Sequence, residues 1–207
     1  MIYTSYDYIS KYQEVLCYLL SFGIKKKYSF QYIEKTISHS DVIKEFERSN
    51  ITLIAFSSCQ MITKEVYKKE DVFLDSNDIF GVCGWLSTVY IHLFLKLKMT
   101  FEALFLLFPI KEGIERYPLY HEMDISQIDQ YIDKKMDKTI LDIVMKNKKK
   151  SNLTLAQETG LSVATINALR YGHRDIKKLE SYKLLILASF LSVYSETIIG
   201  KLPLQIK

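Results

Sequence analysis

The chain has 207 residues, of which 48% are hydrophobic and 25% are charged. A chain of this length and composition can bury an ordinary globular core, which excludes disorder as its general state. Only seven glycines and three prolines occur. So few turn-forming residues argue against a β-sandwich, and the expected fold class is mainly α.

Charge is distributed unevenly along the chain. Residues 1–136 carry 16 Lys and Arg against 18 Asp and Glu, whereas residues 137–207 carry 12 against 6. A near-neutral first part and a basic last part are expected when one module binds a polyanion. A solvated lysine surface is the alternative. We therefore predict two helical domains, residues 1–136 and residues 137–207.

The sequence gives no sign of secretion or of a membrane span. The cysteines Cys17, Cys59 and Cys83 are widely spaced, as is typical of reduced, buried thiols in an intracellular protein. The first residues lack a basic segment followed by an apolar one, so no signal peptide is expected. Residues 85–108 are very apolar, but charged residues interrupt them, which predicts a pair of core helices. The expected location is the cytoplasm.

In the first half, apolar periodicity predicts a helix over residues 6–22 that ends at Gly23. Two short helices follow, the second capped by Ser40 with Asp41 in its first turn. The apolar run 51–58 is the best strand candidate, and a buried helical turn is the alternative. The fold prediction therefore allows one short strand pair in the N-terminal domain.

Helical periodicity returns at residue 79 and continues to about residue 98. Thr100 is then expected to cap a new helix that stops before Pro109. Another short helix with an aromatic turn occupies residues 110–124. One or two helices then lead from residue 126 into the basic part, without a Gly- or Ser-rich linker.

The most informative stretch is "LTLAQETGLSVATINALRYGHRDIKKLESYKLL", residues 153–185. Ser151 is expected to cap a short helix, Gly160 to form the turn, and Ser162 to cap a second helix. Buried positions are predicted at Leu155, Leu161, Ile166 and Leu169, and outward positions at Val163, Ala164, Thr165, Asn167, Ala168 and Arg170. This is the pattern of a helix-turn-helix, whose second helix can enter the major groove of DNA.

This stretch resembles the lambda repressor-like (Xre/Cro-type) helix-turn-helix family over roughly residues 137–200. The resemblance is carried by Leu155, Ala156, Gly160, Leu161, Ser162, Ile166, Leu169, Tyr171 and Gly172. The later "LLILASFLSVYSETI" is similar to the fourth and fifth helices of that family. The resemblance implies a five-helix DNA-binding domain with its recognition helix at residues 163–171.

The resemblance also implies a set of DNA contacts: Ser162, Val163, Ala164, Thr165, Asn167, Ala168, Arg170, Tyr171, His173, Arg174 and Lys177. Long polar side chains are missing from the first turn of the recognition helix. Val163 and Ala164 suit contact with thymine methyl groups, whereas the basic residues suit phosphates. Modest specificity per half-site is therefore expected, with homodimerisation or a second contact supplying the rest.

No enzymatic motif is present. The string "YHEMD", residues 120–124, lacks the second histidine of a zinc metalloprotease helix. His39 and His92 are isolated, and Cys83 in "GVCGW" has no neighbouring histidine to form a thiolate. We predict no catalytic residue, metal or cofactor; a pocket built on His121 and Glu122 is the alternative.

The N-terminal part resembles an uncharacterised bacterial domain of toxin–antitoxin-like or accessory loci, through Trp85, Tyr90, "TFEALF" and "YPLYHEMD". Together the two parts predict a sequence-specific transcriptional regulator, a repressor or an antitoxin-type autoregulator. Its partners are double-stranded DNA, a second copy of the chain and, in the antitoxin version, a toxin. The alternative is a protein-interaction or toxin-neutralising module that does not bind DNA.

Overall fold

The computed structural model describes residues 5–48, 50, 57–70, 72, 74, 81–136 and 139–199. Within these residues the chain forms thirteen α-helices, one 3₁₀ turn and no strand. The prediction of a mainly α fold is therefore confirmed. Most of the strand candidate, residues 51–56, lies outside the described residues.

The helices follow one another with short connections. The first seven are α1 Ser5–Lys25, α2 Phe30–Ser38, α3 Asp41–Glu47, α4 Cys59–Tyr67, α5 Val82–Leu97, α6 Phe101–Leu107 and α7 Ile110–Tyr120. The remaining six are α8 Ser126–Lys135, α9 Ile140–Asn147, α10 Asn152–Thr159, α11 Val163–Arg170, α12 Ser181–Leu191 and α13 Ser195–Ile199. The 3₁₀ turn, Ile176–Lys178, lies between α11 and α12.

The prediction that Gly23 ends the first helix is wrong, because α1 continues to Lys25. Gly23 instead allows two neighbouring elements to approach α1 closely. A Cβ atom at this position would lie 2.6 Å from the Tyr67 hydroxyl and 2.8 Å from Ile33 Cγ1. The missing side chain therefore serves helix packing, whereas the chain turns at Lys27, whose φ is +56°.

The core of the first half is aromatic. Helix α1 packs on α5 and α4. The rings of Tyr12, Phe46, Phe94 and Phe101 form a stack, with centroids 3.9 Å apart for the first pair, 4.6 Å for the second and 5.4 Å for the third. Most of the described aromatic side chains of this region are buried or pack against the core, so they build the interior rather than a surface.

The predicted core pair within residues 85–108 is confirmed as α5 and α6. Thr100 caps α6 by accepting a hydrogen bond from Ala103 N–H at 3.2 Å, and the helix ends at Leu107, before Pro109. Tyr90 is fully buried and donates its hydroxyl hydrogen to the Phe108 carbonyl at 2.8 Å. Among the described residues, no helix combines the length and apolar character that a membrane crossing needs.

The C-terminal helices pack against the first half through α9 and α13, which both contact α6. Asn147 donates from its side-chain nitrogen to the Leu106 carbonyl at 3.1 Å. Buried apolar side chains form one continuous cluster from Tyr12 to Ile198. The described residues 139–199 contain five α-helices. The division into two domains at residue 136 stays a prediction.

Candidate nucleic-acid interface

The segment around Gly160 folds locally as its sequence predicts. Ser151 accepts a hydrogen bond from Thr154 N–H at 3.1 Å, and Ser162 accepts one from Thr165 N–H at 3.0 Å. Gly160 has φ +67° and closes α10 through its own N–H. The four predicted core positions, Leu155, Leu161, Ile166 and Leu169, are buried. The caps, the turn and the buried face are therefore confirmed.

The exposed surface of α11 is restricted to its first turn. Ser162, Val163 and Ala164 are exposed, whereas Thr165 is half-buried and has its hydroxyl 2.9 Å from that of Ser162. Later in the helix, Asn167 and Ala168 are also half-buried. The outward face that the sequence predicts is thus shorter than expected, because α11 packs against both α9 and α10.

The prediction that Arg170 faces outward is wrong. Its side chain is 14% exposed and donates from Nε and Nη2 to Asp142 Oδ1, at 3.0 Å for Nε. Nη1 donates to Asn152 Oδ1 at 2.5 Å. The guanidinium group is turned toward α9 and α10 because a buried carboxylate there needs a cation. As placed, Arg170 is not available to a DNA phosphate.

The same network also holds Asn167. The Asn152 side-chain nitrogen donates to Asn167 Oδ1, so the amide predicted to contact DNA is engaged inside the protein. Arg170, Asn152 and Asn167 form a polar chain that begins at Asp142 and links α9, α10 and α11. Together with the hydrogen bond from the Thr139 hydroxyl to the Arg170 carbonyl at 2.8 Å, this chain fixes the orientation of α11.

Asp142 is the centre of the network, since its side chain is only 1% exposed and lies between two cations. Lys146 Nζ lies 2.8 Å from Oδ2, and Arg170 binds Oδ1. Burial by itself raises the pKa of Asp142, but hydrogen bonds from Lys146 and Arg170, together with their positive charges, lower this pKa overall. The carboxylate therefore stays ionised at neutral pH.

Sequence reasoning missed the roles of Asp142 and Asn152. A signal was present for the first: Asp142 lies between Leu141 and Val144 on a helix whose neighbouring positions are apolar. A charged residue on an apolar face indicates a buried partner. No comparable sequence signal identifies Asn152, because a polar first residue is ordinary in a helix.

The basic residues of this region divide into two groups. Lys146 is paired with Asp142, and Lys150 Nζ lies 4.6 Å from the centroid of the Phe190 ring. By contrast, His173, Arg174 and Lys177 are exposed and follow directly after α11, as does the exposed ring of Tyr171. Within the described part of the chain, Arg174 and Lys177 have no acidic partner.

Helix α12 exposes an apolar surface. Tyr182 is 56% exposed, Leu185 is 60% and Ile186 is 38%, and Leu185 and Ile186 lie one helical turn after Tyr182. Ser189, one turn further, is also exposed. We call this surface, formed by Tyr182, Leu185, Ile186 and Ser189, the α12 face. It is mainly apolar, whereas the residues that follow α11 are basic.

The other sequence candidates are His121, Glu122, His92 and the three cysteines. His121 is exposed, stacks on Tyr117 with centroids 4.4 Å apart, and has its Nε2 3.6 Å from the exposed carboxylate of Glu122. His92 Nε2 lies 2.8 Å from Asp129 Oδ1, and both side chains are partly buried. The three cysteines are buried, and none of them forms a disulfide bond. Burial is the main cause that raises the pKa of each thiol, to about 11 for Cys17 and Cys59.

Among the described residues, no group of three or more His, Cys, Asp and Glu side chains is arranged to hold a metal ion. The polar and basic residues around α11 can therefore bind a partner through hydrogen bonds and positive charge.

Comparisons of this chain with protein-family models, with curated proteins and with solved structures found no match.

Proposed function

We propose that the chain is a cytoplasmic DNA-binding transcriptional regulator whose C-terminal part, residues 137–207, is a five-helix repressor-like helix-turn-helix domain. The observation that carries this proposal is the exposed start of α11, directly followed by basic residues, of which Arg174 and Lys177 have no acidic partner among the described residues. The first turn of α11 presents Ser162, Val163 and Ala164. His173, Arg174 and Lys177 lie just beyond the end of the helix.

In this proposal the two groups of residues have different tasks. Arg174, Lys177 and His173 bind phosphates and so position the protein on any duplex. Val163 and Ala164 contact base edges in the major groove, where small apolar side chains suit thymine methyl groups. Arg170 and Asn167 act indirectly, because their contacts with Asp142 and Asn152 orient α11.

The small number of base-contacting side chains predicts weak specificity for one half-site. A homodimer that binds two half-sites would restore specificity, and the α12 face is the surface that we assign to it. In an antiparallel pair of α12 helices, Tyr182 of one copy lies opposite the small Ser189 of the other. Leu185 and Ile186 then meet at the centre. The dimer is expected to form weakly in solution and to be stabilised on DNA.

Fluorescence anisotropy with a duplex from the gene's own upstream region tests DNA binding. Affinity is expected to fall steeply between about 50 and 200 mM salt, since bound phosphates release counterions. Replacing Arg174 and Lys177 by Ala should reduce the slope of log affinity against log salt by about 2. The matched control replaces Lys69 and Lys134, two exposed lysines outside residues 139–199. Absence of binding to any duplex at low salt would refute the proposal.

A second function, protein interaction without DNA, is favoured by the α12 face, because exposed apolar side chains at helical spacing suit a protein surface. In its toxin-neutralising version a partner protein covers this surface. Purification from the native host separates the two functions: a stoichiometric partner that survives nuclease treatment selects protein interaction. A toxin-like reading frame beside the gene would select the antitoxin-type autoregulator over an ordinary repressor.

A further inference from the structure

A cleft of about 760 Å³ opens between α2, the junction of α6 and α7, and the end of α9. This volume falls within the range of about 300–1,000 Å³ that small-molecule sites occupy. Phe30, Phe105, Leu106 and Pro109 give the cleft an apolar lining. The cleft also lies where the C-terminal helices meet the first half, so its two sides come from different parts of the chain.

One carboxyl group on the wall of the cleft has unused hydrogen-bonding capacity. Glu34 Oε1 accepts a hydrogen bond from Ile110 N–H at 2.8 Å, at the start of α7. Within the described residues, Oε2 has no hydrogen-bond partner. Burial raises the pKa of Glu34 to about 7, although the hydrogen bond from Ile110 acts in the opposite direction. Near neutral pH a protonated fraction can therefore donate a hydrogen bond to a ligand.

Cationic groups reach the cleft from both sides. Lys35 extends from α2, and Lys148 follows directly after α9. Both are exposed, and neither forms an ion pair among the described residues. Lys111 of α7 is a third cation of the lining, 3.8 Å from Glu115.

The second acidic residue of the lining, Glu102, is already engaged. Its Oε2 accepts hydrogen bonds from Tyr194 N–H at 3.1 Å and from the Thr197 hydroxyl at 2.7 Å. Its Oε1 lies 3.9 Å from His39 Nε2. The groups left for a ligand are therefore mainly the lysines, the apolar lining and Glu34 Oε2.

We propose that this cleft binds a small organic anion with an apolar body, such as a medium-chain carboxylate. The head group lies between Lys35 and Lys148, and the apolar body packs on Phe105 and Leu106. A cationic head group is disfavoured because it would meet three ammonium groups, whereas Glu102 is occupied. The inference is independent of DNA binding, since none of these residues is among those to which we assign a DNA contact.

Sodium octanoate, octanol and octylammonium chloride share one apolar chain and differ in the charge of the head group. Each is titrated into the full chain and followed by two-dimensional amide NMR. We expect octanoate to bind one site with a dissociation constant on the order of 1 mM, as its few atoms allow. Its binding should shift the amide signals of Leu106 and Lys148. Octanol should bind more weakly, and octylammonium most weakly.

Variants locate the site. Replacing Lys35 and Lys148 by Ala should weaken octanoate binding about three- to tenfold, whereas replacing Lys69 and Lys134 should leave it unchanged. The α12 face is a competing apolar surface, so Leu185→Ser is a further control and should have no effect. The proposal is overturned if octylammonium binds as well as octanoate, if loss of Lys35 and Lys148 has no effect, or if octanoate does not bind at millimolar concentration.

The pH dependence tests the role of Glu34. The charged and titratable groups of the lining are Glu34, Lys35, His39, Glu102, Lys111 and Lys148. Octanoate stays ionised above pH 6, so its affinity should fall between about pH 6 and 8 as Glu34 loses its proton and repels it. Glu34→Gln should flatten this fall and keep the acceptor for Ile110 N–H. An unchanged pH dependence of octanoate affinity in this variant would show that Glu34 does not contribute to the site.

Discussion

Two kinds of side-chain hydrogen bond stabilise helix starts in the described part of this protein. Ser151 caps α10 and Ser162 caps α11, each within three residues of its hydrogen-bond donor. At three helix starts a glutamate from a distant part of the chain accepts a hydrogen bond, and at α6 it does so in addition to the Thr100 cap. Glu47 accepts from Phe101 N–H at 2.6 Å, across 54 residues. Glu34 accepts from Ile110 N–H across 76 residues, and Glu102 from Tyr194 N–H across 92.

The serine caps stabilise a helix start by a local contact, whereas the glutamates do so by a tertiary contact. A serine cap satisfies one N–H group of its own helix and contributes about 1 kcal/mol wherever that helix lies. A distant glutamate also satisfies an N–H group and suits the positive end of the helix dipole. However, it connects two elements, and the carboxyl must be buried to do so. Burial raises the pKa of both Glu34 and Glu47 to about 7.

The largest effect is expected at Asp142, the buried carboxylate that joins α9 to α11. Asp142→Ala removes the partner of the nearly buried Arg170 and should lower the free energy of unfolding by about 3–5 kcal/mol. Urea denaturation followed by circular dichroism measures this loss. Glu180→Ala is the control, because Glu180 is an exposed carboxylate paired with Lys183, and its loss should stay within about 0.5 kcal/mol.

The double variant Asp142→Leu with Arg170→Met distinguishes two contributions to the free energy of unfolding: the cost of leaving Arg170 buried without its partner, and the stabilisation by the ion pair itself. Exchange of a buried ion pair for apolar residues is often nearly neutral, so most of the lost stability should return. A single variant Asp142→Ala that unfolds like the wild type would contradict the assignment of this network.

Variants of Glu102 test whether a distant glutamate stabilises a helix start through its hydrogen bonds. Glu102→Ala leaves Tyr194 N–H and the Thr197 hydroxyl without their acceptor, and each unsatisfied buried group costs about 1–3 kcal/mol. We expect a total loss at the lower end for two groups, about 2–3 kcal/mol in the free energy of unfolding by urea denaturation, because Tyr194 is 38% exposed and the Thr197 hydroxyl keeps a neighbour in the Thr100 hydroxyl at 3.3 Å. Glu102→Gln keeps an acceptor oxygen and should lose less. Equal losses in the two variants would assign the effect to charge rather than to hydrogen bonding.

The pH dependence of stability follows from the raised pKa of Glu34 and Glu47. The unfolded chain binds fewer protons than the folded one between about pH 4.5 and 7, so stability should rise as the pH falls through this range. From pH 8 to 5.5 we expect a gain of about 1–2 kcal/mol for each group. Urea denaturation across this range measures it. Glu34→Gln and Glu47→Gln should each remove their part of the slope, and a slope that both variants retain would refute this origin.

The smallest effect is expected for a local cap. Ser162→Ala should lower the free energy of unfolding by about 1 kcal/mol, because Thr165 N–H loses its acceptor. Ser162→Asp retains a capping oxygen and should keep the stability in the same thermal or urea measurement. A loss for Ser162→Ala as large as that for Glu102→Ala would abolish the distinction between the two kinds of helix start.

Prediction from the sequence succeeded where the interaction is local. Ser151, Gly160 and Ser162 act within a few residues, so their types alone indicate caps and a turn. It failed at Gly23, whose role depends on Tyr67 and Ile33 approaching from other helices. It also failed for Arg170, because a surface position on a helical wheel does not reveal a buried carboxylate on another helix.

The sequence by itself determined the helical content, the caps of α10 and α11, and the excess of basic residues after residue 136. These features follow from residue types and from periodicities of a few residues. Only the tertiary structure decided that Glu34, Glu47 and Glu102 bind the starts of other helices. It also decided that Arg170 points inward, and that Lys35 and Lys148 border one cleft. Such contacts join residues far apart in the chain, and their partners are selected by packing of the whole fold.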